Sequence, residues 1–587
     1  MSDLLNKASL VMIPSGYKED VVYSAVPSDG SGDLALTRAS NGTRINSAGL
    51  VEDCPWNLLG YSEEFNNAAW DKVGTTITAN ATTAPNGTNT ADNLIPSNGT
   101  QLSWVLQNFT SVVGSTYTIS LYVKSTDYSF VQITGSTGFL SEYQNFNIST
   151  GALATGSGGT ATITSVGNGW YRITYSLTCI STGTTNRFII TVQDSGTAAR
   201  LASCTGNGTK FVSIWGAQLN IGSTAKPYFP TTDRLNVPRL TYQNGGGGCP
   251  SLLLEKQSTN LFTYSEQFDN SAWIKTSGSV TANQAISPDG TQNADLIAGE
   301  IYQQATQANA TTYTMSVFAK KESGTTIYLG YIDNVTGFVG GSIVYTYATG
   351  AITVSQSANG SVSGQAIDMG NGWIRVIMKY TSIALVTFNY QYIGSGGSYI
   401  WGVQLEASSY PTSYIPTTSA SATRVADACS KTGISSLIGA TNGAMFMEID
   451  NSNPSAYLGT APNNTIFGSI NSGDYLNNFH FNTDATKLYV YCNASGGALQ
   501  AAIGTNMPTT PRIKMAVTYT SSAIKFFVNG SLIGTDTSFT LPSSMSRVDV
   551  GHMGGQPDSQ RMRGGVIAYL LFATALTDAE AISLTTL

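Results

Sequence analysis

Apolar residues fall on every second position in Tyr117-Thr118-Ile119-Ser120-Leu121-Tyr122-Val123-Lys124 and again in Trp170-Tyr171-Arg172-Ile173-Thr174-Tyr175. Such alternation sends one face of an extended segment to a core and the other to water, so both stretches are predicted as half-buried strands. Turn signals at Ser149-Thr150-Gly151 and Gly167-Asn168-Gly169 punctuate them, and the Asn-Gly pair just before Trp170 is a hairpin signal. With no helix-period segment between, the pattern predicts an antiparallel sandwich of the jelly-roll kind.

The pattern then repeats. Asn57-Leu58-Leu59-Gly60-Tyr61-Ser62-Glu63-Glu64-Phe65 returns as Asn260-Leu261-Phe262-Thr263-Tyr264-Ser265-Glu266-Gln267-Phe268, and one offset of 203 residues carries Trp70 onto Trp273, Pro85 onto Pro288 and Trp170 onto Trp373. Trp401-Gly402-Val403-Gln404-Leu405-Glu406 mirrors Trp215-Gly216-Ala217-Gln218-Leu219-Asn220, and each copy closes on an aromatic and proline segment, Tyr228-Phe229-Pro230-Thr231-Thr232 or Tyr414-Ile415-Pro416-Thr417-Thr418. Each copy is far longer than a solenoid unit and large enough to close its own core. Duplication of this kind favours multivalent surface binding over one catalytic cleft.

Outside the copies the pattern changes. Residues 1–56 hold one short apolar run, Leu10-Val11-Met12-Ile13, followed by helix breakers, and read as a small unit that packs on the first repeat or on another protein. Arg38 and Arg44 in this stretch read as solvated arginines of a plain turn. The connector 233–259 holds Gly245 to Gly248 and then Ser251-Leu252-Leu253-Leu254, too apolar for a free linker and predicted as an extra strand against a neighbour. Beyond Arg424, Met445 to Asp450, Lys487 to Tyr491, Lys514 to Tyr519 and Ile524 to Val528 read as strands, Asn529-Gly530 as a turn, and Thr577-Asp578-Ala579-Glu580 as a capped helical turn. The expected domains are 1–56, 57–232, 233–259, 260–420 and 421–587.

Charged residues make up 11% of the 587, against about 25% in ordinary globular proteins. The net charge is -7 with no basic stripe, which disfavours nucleic-acid and anionic-membrane partners. The start Met1-Ser2-Asp3-Leu4-Leu5-Asn6-Lys7 lacks the form of a secretory signal, and no stretch approaches 18 consecutive apolar residues, so a chain made in the cytoplasm is expected. The six cysteines have no CxxC pair. They read mostly as buried thiols, with Cys179 to Cys204 as the one local bridge candidate.

Two resemblances rest on these residues. Met515-Ala516-Val517-Thr518-Tyr519, Phe527-Val528-Asn529-Gly530, Val550-Gly551-His552, Gly565 to Phe572 and Leu576 to Glu580 resemble the laminin-G or concanavalin-A-like sandwich in their order. Each repeat resembles a carbohydrate-binding-module-type jelly roll found in phage structural proteins. Thr37-Arg38-Ala39 to Glu52, Pro238-Arg239-Leu240 and Ser251 to Leu261 are similar to stretches of tail and head-fibre proteins of tailed bacteriophages. The resemblances imply an all-β chain of two jelly rolls plus a concanavalin-A-like sandwich, behind a small N-terminal virion-attachment segment. They also imply a homotrimeric fibre or appendage of the virion that partners other virion proteins and a host-surface glycan.

Chemistry is sparse in the sequence. Glu448-Ile449-Asp450 places two acids at alternate positions of a strand, as glycoside hydrolases on such sandwiches do, but the third acid of that pattern is missing and no catalysis is expected. His480 and His552, the only histidines, read as loop or surface residues. No dense acidic run marks a metal site, although a structural calcium is compatible with these folds. Sugar recognition needs aromatic ring faces, of which 30 tyrosines and 8 tryptophans offer many. Trp170, Trp215, Trp373 and Trp401 read as core, whereas Trp70 and Trp273 lie in polar segments and are the candidate glycan contacts. The expected function is a non-enzymatic virion component binding host glycans; a decoration protein without ligand and a capsular polysaccharide depolymerase are the alternatives.

Overall fold

The computed structural model describes residues 2–333, 339–356, 361–382, 389–452, 465–473, 476–484, 486–494 and 496–587. They are almost entirely antiparallel β-structure, as the alternation predicts. The chain divides into two compact units, one of Met1–Cys54, Leu235–Ala282 and Asp295–Leu587, the other of Pro55–Arg234 with Asn283–Ala294.

The first repeat is a sandwich of two six-stranded sheets. One is centred on Trp104–Ser111, Gly183–Gln193 and Phe130–Ser136, the other on Trp170–Thr178, Thr116–Lys124 and Val212–Ile221. Their inner faces meet through Val105, Ile133 and Ile190 on one side and Ile119, Leu121, Ile173 and Ile214 on the other. The hairpin before Trp170 forms with Asn168 at φ 52° and Gly169 at φ 78°, the left-handed pair that an Asn-Gly turn supplies. Asn371 and Gly372 do the same in the second repeat, at φ 53° and 77°.

The second repeat keeps this plan with one change. The strand Asn389–Glu406 pairs through its first half with Ala294–Gln304 and Thr326–Asp333 and through its second half with Thr312–Lys321, so it belongs to both layers. The first repeat divides that path between Gly183–Gln193 and Val212–Ile221. The cause is length: 45 residues separate Trp170 from Trp215, and only 28 separate Trp373 from Trp401.

The third sandwich corrects the expected domain plan. Its core draws together Leu10, Met12, Leu34 and Leu36 from the N-terminal segment, Leu240, Leu252 and Leu254 from the connector, and Met445, Phe481, Val548 and Tyr569 from beyond residue 421. Leu10–Met12 pairs with Gly564–Phe572, Leu34–Thr37 pairs with Ala428–Thr432, and Ser251–Leu254 pairs with Gly564–Phe572. Residues 1–54 are therefore not a separate unit, because their few apolar residues are buried as strands of the terminal sandwich. The connector strand is found where its apolar run predicts one. The final helix, Asp578–Thr585, is longer than the single turn expected and carries a full capping box between Thr577 and Glu580.

Arg38 and Arg44 are not solvated. Arg38, Arg239 and Arg424, one from each of the three stretches, are fully buried around two carboxylates. Arg38 Nη1 lies 2.8 Å from Asp427 Oδ1, Arg239 Nη2 donates to Asp427 Oδ2, and Glu255 Oε2 accepts from Arg239 Nη1 at 2.8 Å and Arg424 Nη1 at 3.0 Å. Burial alone would raise the Glu255 carboxyl, but Arg424 and Arg239 overcome it and hold it down to about 2. Arg44 makes a separate buried pair with Glu52 at 2.8 Å.

Candidate functional site

The two tryptophans expected to face a ligand face the core. Trp70 is 2% exposed and Trp273 is 0% exposed. Each indole donates to a carbonyl nine residues earlier, Trp70 Nε1 to Tyr61 O at 3.0 Å and Trp273 Nε1 to Tyr264 O at 3.1 Å. The polar neighbours are what close the loop over the ring. Asp92 accepts the amide of Phe65 and Asp295 that of Phe268, both at 2.9 Å, and the Lys72 ammonium donates to the carbonyls of Asn67 at 2.8 Å and Trp70 at 2.6 Å. A polar sequence around these rings thus marks a hydrogen-bonded lid. Trp170, Trp215, Trp373 and Trp401 are buried, as expected, although Trp170 and Trp215 pack in a cluster with Ala84 and Ala91 apart from the inter-sheet core.

The other candidates also fall away as chemistry. His480 is buried in the strand Asn478–Thr483, where burial lowers its pKa to about 4, and His552 is buried with Nε2 at 3.6 Å from Asp549. His552 lies in a loop, as one of the two expected placements has it, while His480 is neither in a loop nor on the surface. Glu448 pairs with Arg512 at 3.4 Å, and Asp450 accepts from the amide and hydroxyl of Ser452, so both acids are engaged in structural contacts. Cys179 and Cys204 are separate buried thiols, the first beside Ser111 and the second donating to Asp194, and the candidate bridge between them does not form. Among the described residues no group of three His, Cys, Asp or Glu side chains is placed to hold a metal ion.

A ring-lined surface is found elsewhere, on the outer face of one sheet of the second repeat. Along Ala294–Gln304 the residues Ile297, Ile301 and Gln303 are buried, which leaves Glu300, Tyr302 and Gln304 on the outside. Ile393 is likewise buried, so Tyr390, Tyr392 and Gly394 point outward; Ile327, Leu329 and Tyr331 are buried, so Tyr328 and Gly330 do too. The cross-strand registers assemble two rows, Glu300 with Gly394 and Tyr328, then Tyr302 with Tyr392 and Gly330. Tyr302 lies 5.0 Å from Tyr390 and 5.4 Å from Tyr392 between ring centroids. The four tyrosines are half-buried.

Glycine shapes this surface. A Cβ on Gly394 would stand 2.1 Å from the Tyr328 ring, so the ring lies flat over the neighbouring strand and turns its face outward. The Tyr328 hydroxyl donates to Glu300, whose other oxygen accepts from Thr276 at 2.8 Å. Burial first, and then the Glu300 charge, raises the Tyr392 phenol, which keeps it protonated and a donor at neutral pH. Flat rings beside a fixed carboxylate can hold the apolar face of a pyranose and accept from its hydroxyls.

In the first repeat the same face is covered. The matching rows there are Trp104, Thr191 and Gln132, then Leu106, Ile189 and Thr134. The additional residues after Gln193 cross over them: Asn145 donates to Ala198 O at 2.8 Å, Gln132 accepts from Leu201 N at 2.7 Å, and Arg200 donates to Thr134 at 2.8 Å. Gln132, Thr134 and Asn145 are fully buried beneath this strap. The signal for the open face was in the sequence as Tyr390-Gln391-Tyr392, an alternation with its aromatic residues on the side away from the core.

No family profile and no curated protein sequence matches the chain. Among solved structures it is similar to a Ruminococcus gnavus sialidase carbohydrate-binding module bound to sialyllactose, at 15% identity over 25% of this chain and 84% of that one, with a TM-score of 0.20. Laminin-G domains 4 and 5 of the mouse laminin alpha1 chain share 11% identity over 48% of this chain and 89% of theirs, with a TM-score of 0.17. The receptor-binding domain of botulinum neurotoxin type G shares 9% over 27%, with a TM-score of 0.20, and the chain spans 41% of that domain's length. Likeness this slight carries nothing about ligand. The topology itself defines the class: a chain of antiparallel β-sandwiches, the last assembled from three stretches of sequence.

Proposed function

We propose that this protein is a non-enzymatic attachment component of a tailed-phage virion, and that it holds a host-surface glycan on the tyrosine face of its second repeat. The observation that carries the binding reading is the half-buried row of Tyr302, Tyr328, Tyr390 and Tyr392 around Glu300, with Tyr328 laid over Gly394, on the face that a strap covers in the first repeat. The phage setting is supported by the fibre-like stretches around Arg38, Arg239 and Ser251 to Leu261. Homotrimeric assembly belongs to the same proposal and would multiply a weak contact by avidity. The binding reading is tested on a glycan array and on host cells with the full-length protein and its Tyr390→Ala/Tyr392→Ala variant. Loss of some of the bound glycans in the double variant supports it; the same glycans bound equally by both proteins overturn it.

A further inference from the structure

The terminal sandwich has a second surface built by the same device. In Lys487–Ala494 the residues Leu488, Val490 and Cys492 are buried in the core, so Tyr489, Tyr491 and Asn493 stand on the outer face. On the neighbouring strand Asn478–Thr483, Phe479 and Phe481 face the core and leave His480 and Asn482 outside. The register sets Asn482 beside Tyr489 and then Gly504, and His480 beside Tyr491 and then Ala502. Small residues on the outermost strand leave room for the rings to lie down. A Cβ on Gly504 would come 2.3 Å from the Tyr489 ring.

The rings form a short stair. Tyr489 and Tyr491 are 5.2 Å apart at 29°, and Tyr491 and His480 are 5.2 Å apart at 22°. Tyr489 and Tyr491 are half-buried, while His480 and Asn482 at the inner end are buried. His480 Nδ1 lies 2.6 Å from Asn478 Oδ1; since that amide oxygen can only accept, Nδ1 carries the proton and Nε2 is left as an acceptor. Burial keeps the ring neutral at physiological pH. Asn482 is only 6% exposed, and its Oδ1 has no hydrogen-bond partner among the described residues. A buried amide oxygen without a donor costs free energy that an incoming hydroxyl recovers.

We propose that Tyr489, Tyr491, His480 and Asn482 form a second carbohydrate site, specific for neutral sugars. Flat rings take the apolar face of the pyranose, and both polar groups at the inner end accept, as sugar hydroxyls require. The charge on this surface decides the class. Asp484, whose carboxylate accepts the backbone amides of Thr486 and Lys487, stands beside Tyr489, whose phenol is raised by burial first and then by this acid. With no net cation to hold it, an acidic sugar gains nothing here and gives up its hydration.

The site is independent of the second repeat, so its test runs on full-length protein already carrying Tyr390→Ala/Tyr392→Ala. Saturation-transfer NMR with lactose, maltotriose, cellotriose and N-acetylneuraminic acid is the readout. The proposal expects transfer to at least one neutral sugar and none to the acid. It expects Tyr489→Phe to keep that binding and Tyr489→Ala to weaken it about tenfold or more. A thermal melt of each variant separates lost binding from lost folding, and Asn482→Ala, which keeps every ring, must weaken the same sugar. Silence towards all neutral sugars, a preference for the acid, or unchanged binding in a folded Tyr489→Ala protein overturns it.

Discussion

Arg38 and Asp427 are 389 residues apart in sequence and 2.8 Å apart in the fold, both without exposure to solvent. Arg239 shares the same carboxylate and Glu255 ties in Arg424, so three stretches of chain are fastened at one point. Removing one member of such a group leaves buried charge without a partner. Asp427→Ala is expected to destabilise the protein by about 3–5 kcal/mol, read from urea unfolding. A loss below about 1 kcal/mol would show that the arginines find other partners.

Acid should loosen the same cluster. The Glu255 carboxyl sits near 2 in the folded protein, below its ordinary value of 4.5, because Arg424 and Arg239 outweigh the cost of its burial. Above pH 4.5 both folded and unfolded chains are ionised and the stabilisation is complete. As pH falls from 4.5 toward 2 the unfolded chain takes up the proton first and stability is lost. Melting curves across that range should fall steeply in the natural protein and less steeply in Glu255→Gln.

Lys72 makes a sharper local prediction. Its ammonium donates to the carbonyls of Phe65, Asn67 and Trp70, and Lys275 does the same for Asp269 and Asn270. Lys72→Met keeps the stem and removes the donor, so it should cost about 1 kcal/mol and loosen the loop over Trp70. Faster quenching of tryptophan fluorescence by acrylamide is the check.

The strap of the first repeat is read here as filler and not as a removable lid. Beneath it lie Gln132 and Asn145, which donate to its backbone, and Thr134, which accepts from the Arg200 side chain, and no row of tyrosines. Deleting residues 195–201 should therefore lower the melting temperature without creating glycan binding. An added binding site per chain, counted by titration calorimetry, would refute this.

Trp70→Phe and Trp273→Phe should leave glycan binding as it is, since neither indole reaches the surface. Tyr392→Ala should weaken it about tenfold, the worth of roughly 1.4 kcal/mol of stacking. Array titrations of the three variants distinguish the two surfaces.

The strands, the three Asn-Gly hairpins and the duplication were legible because each depends on neighbours in sequence. Alternation places Ile173 and Tyr175 in the core, but Trp170 is buried on the opposite face, against Trp215, Ala84 and Ala91. Two kinds of feature were not legible. Leu10–Met12 pairs with residues more than 550 positions away, and nothing within three apolar residues specifies such a partner. Trp70 and Trp273 misled because a polar segment can be polar in order to hold a lid shut, as Asp92, Asp295 and Lys72 do. The tyrosine face was half legible: alternation shows which side of Tyr390-Gln391-Tyr392 leaves the core, but whether another stretch then covers that side depends on the 17 additional residues of the other repeat.

The pairing of Leu10–Met12 with Gly564–Phe572 also sets an order of events during synthesis. Each repeat has its own strands in hand once the ribosome has passed it, and can fold while translation continues. The N-terminal strands emerge before either repeat, yet their partner is made only after both. While both repeats are being made they wait with unsatisfied edges, and the terminal sandwich can close only after the second repeat has left the ribosome.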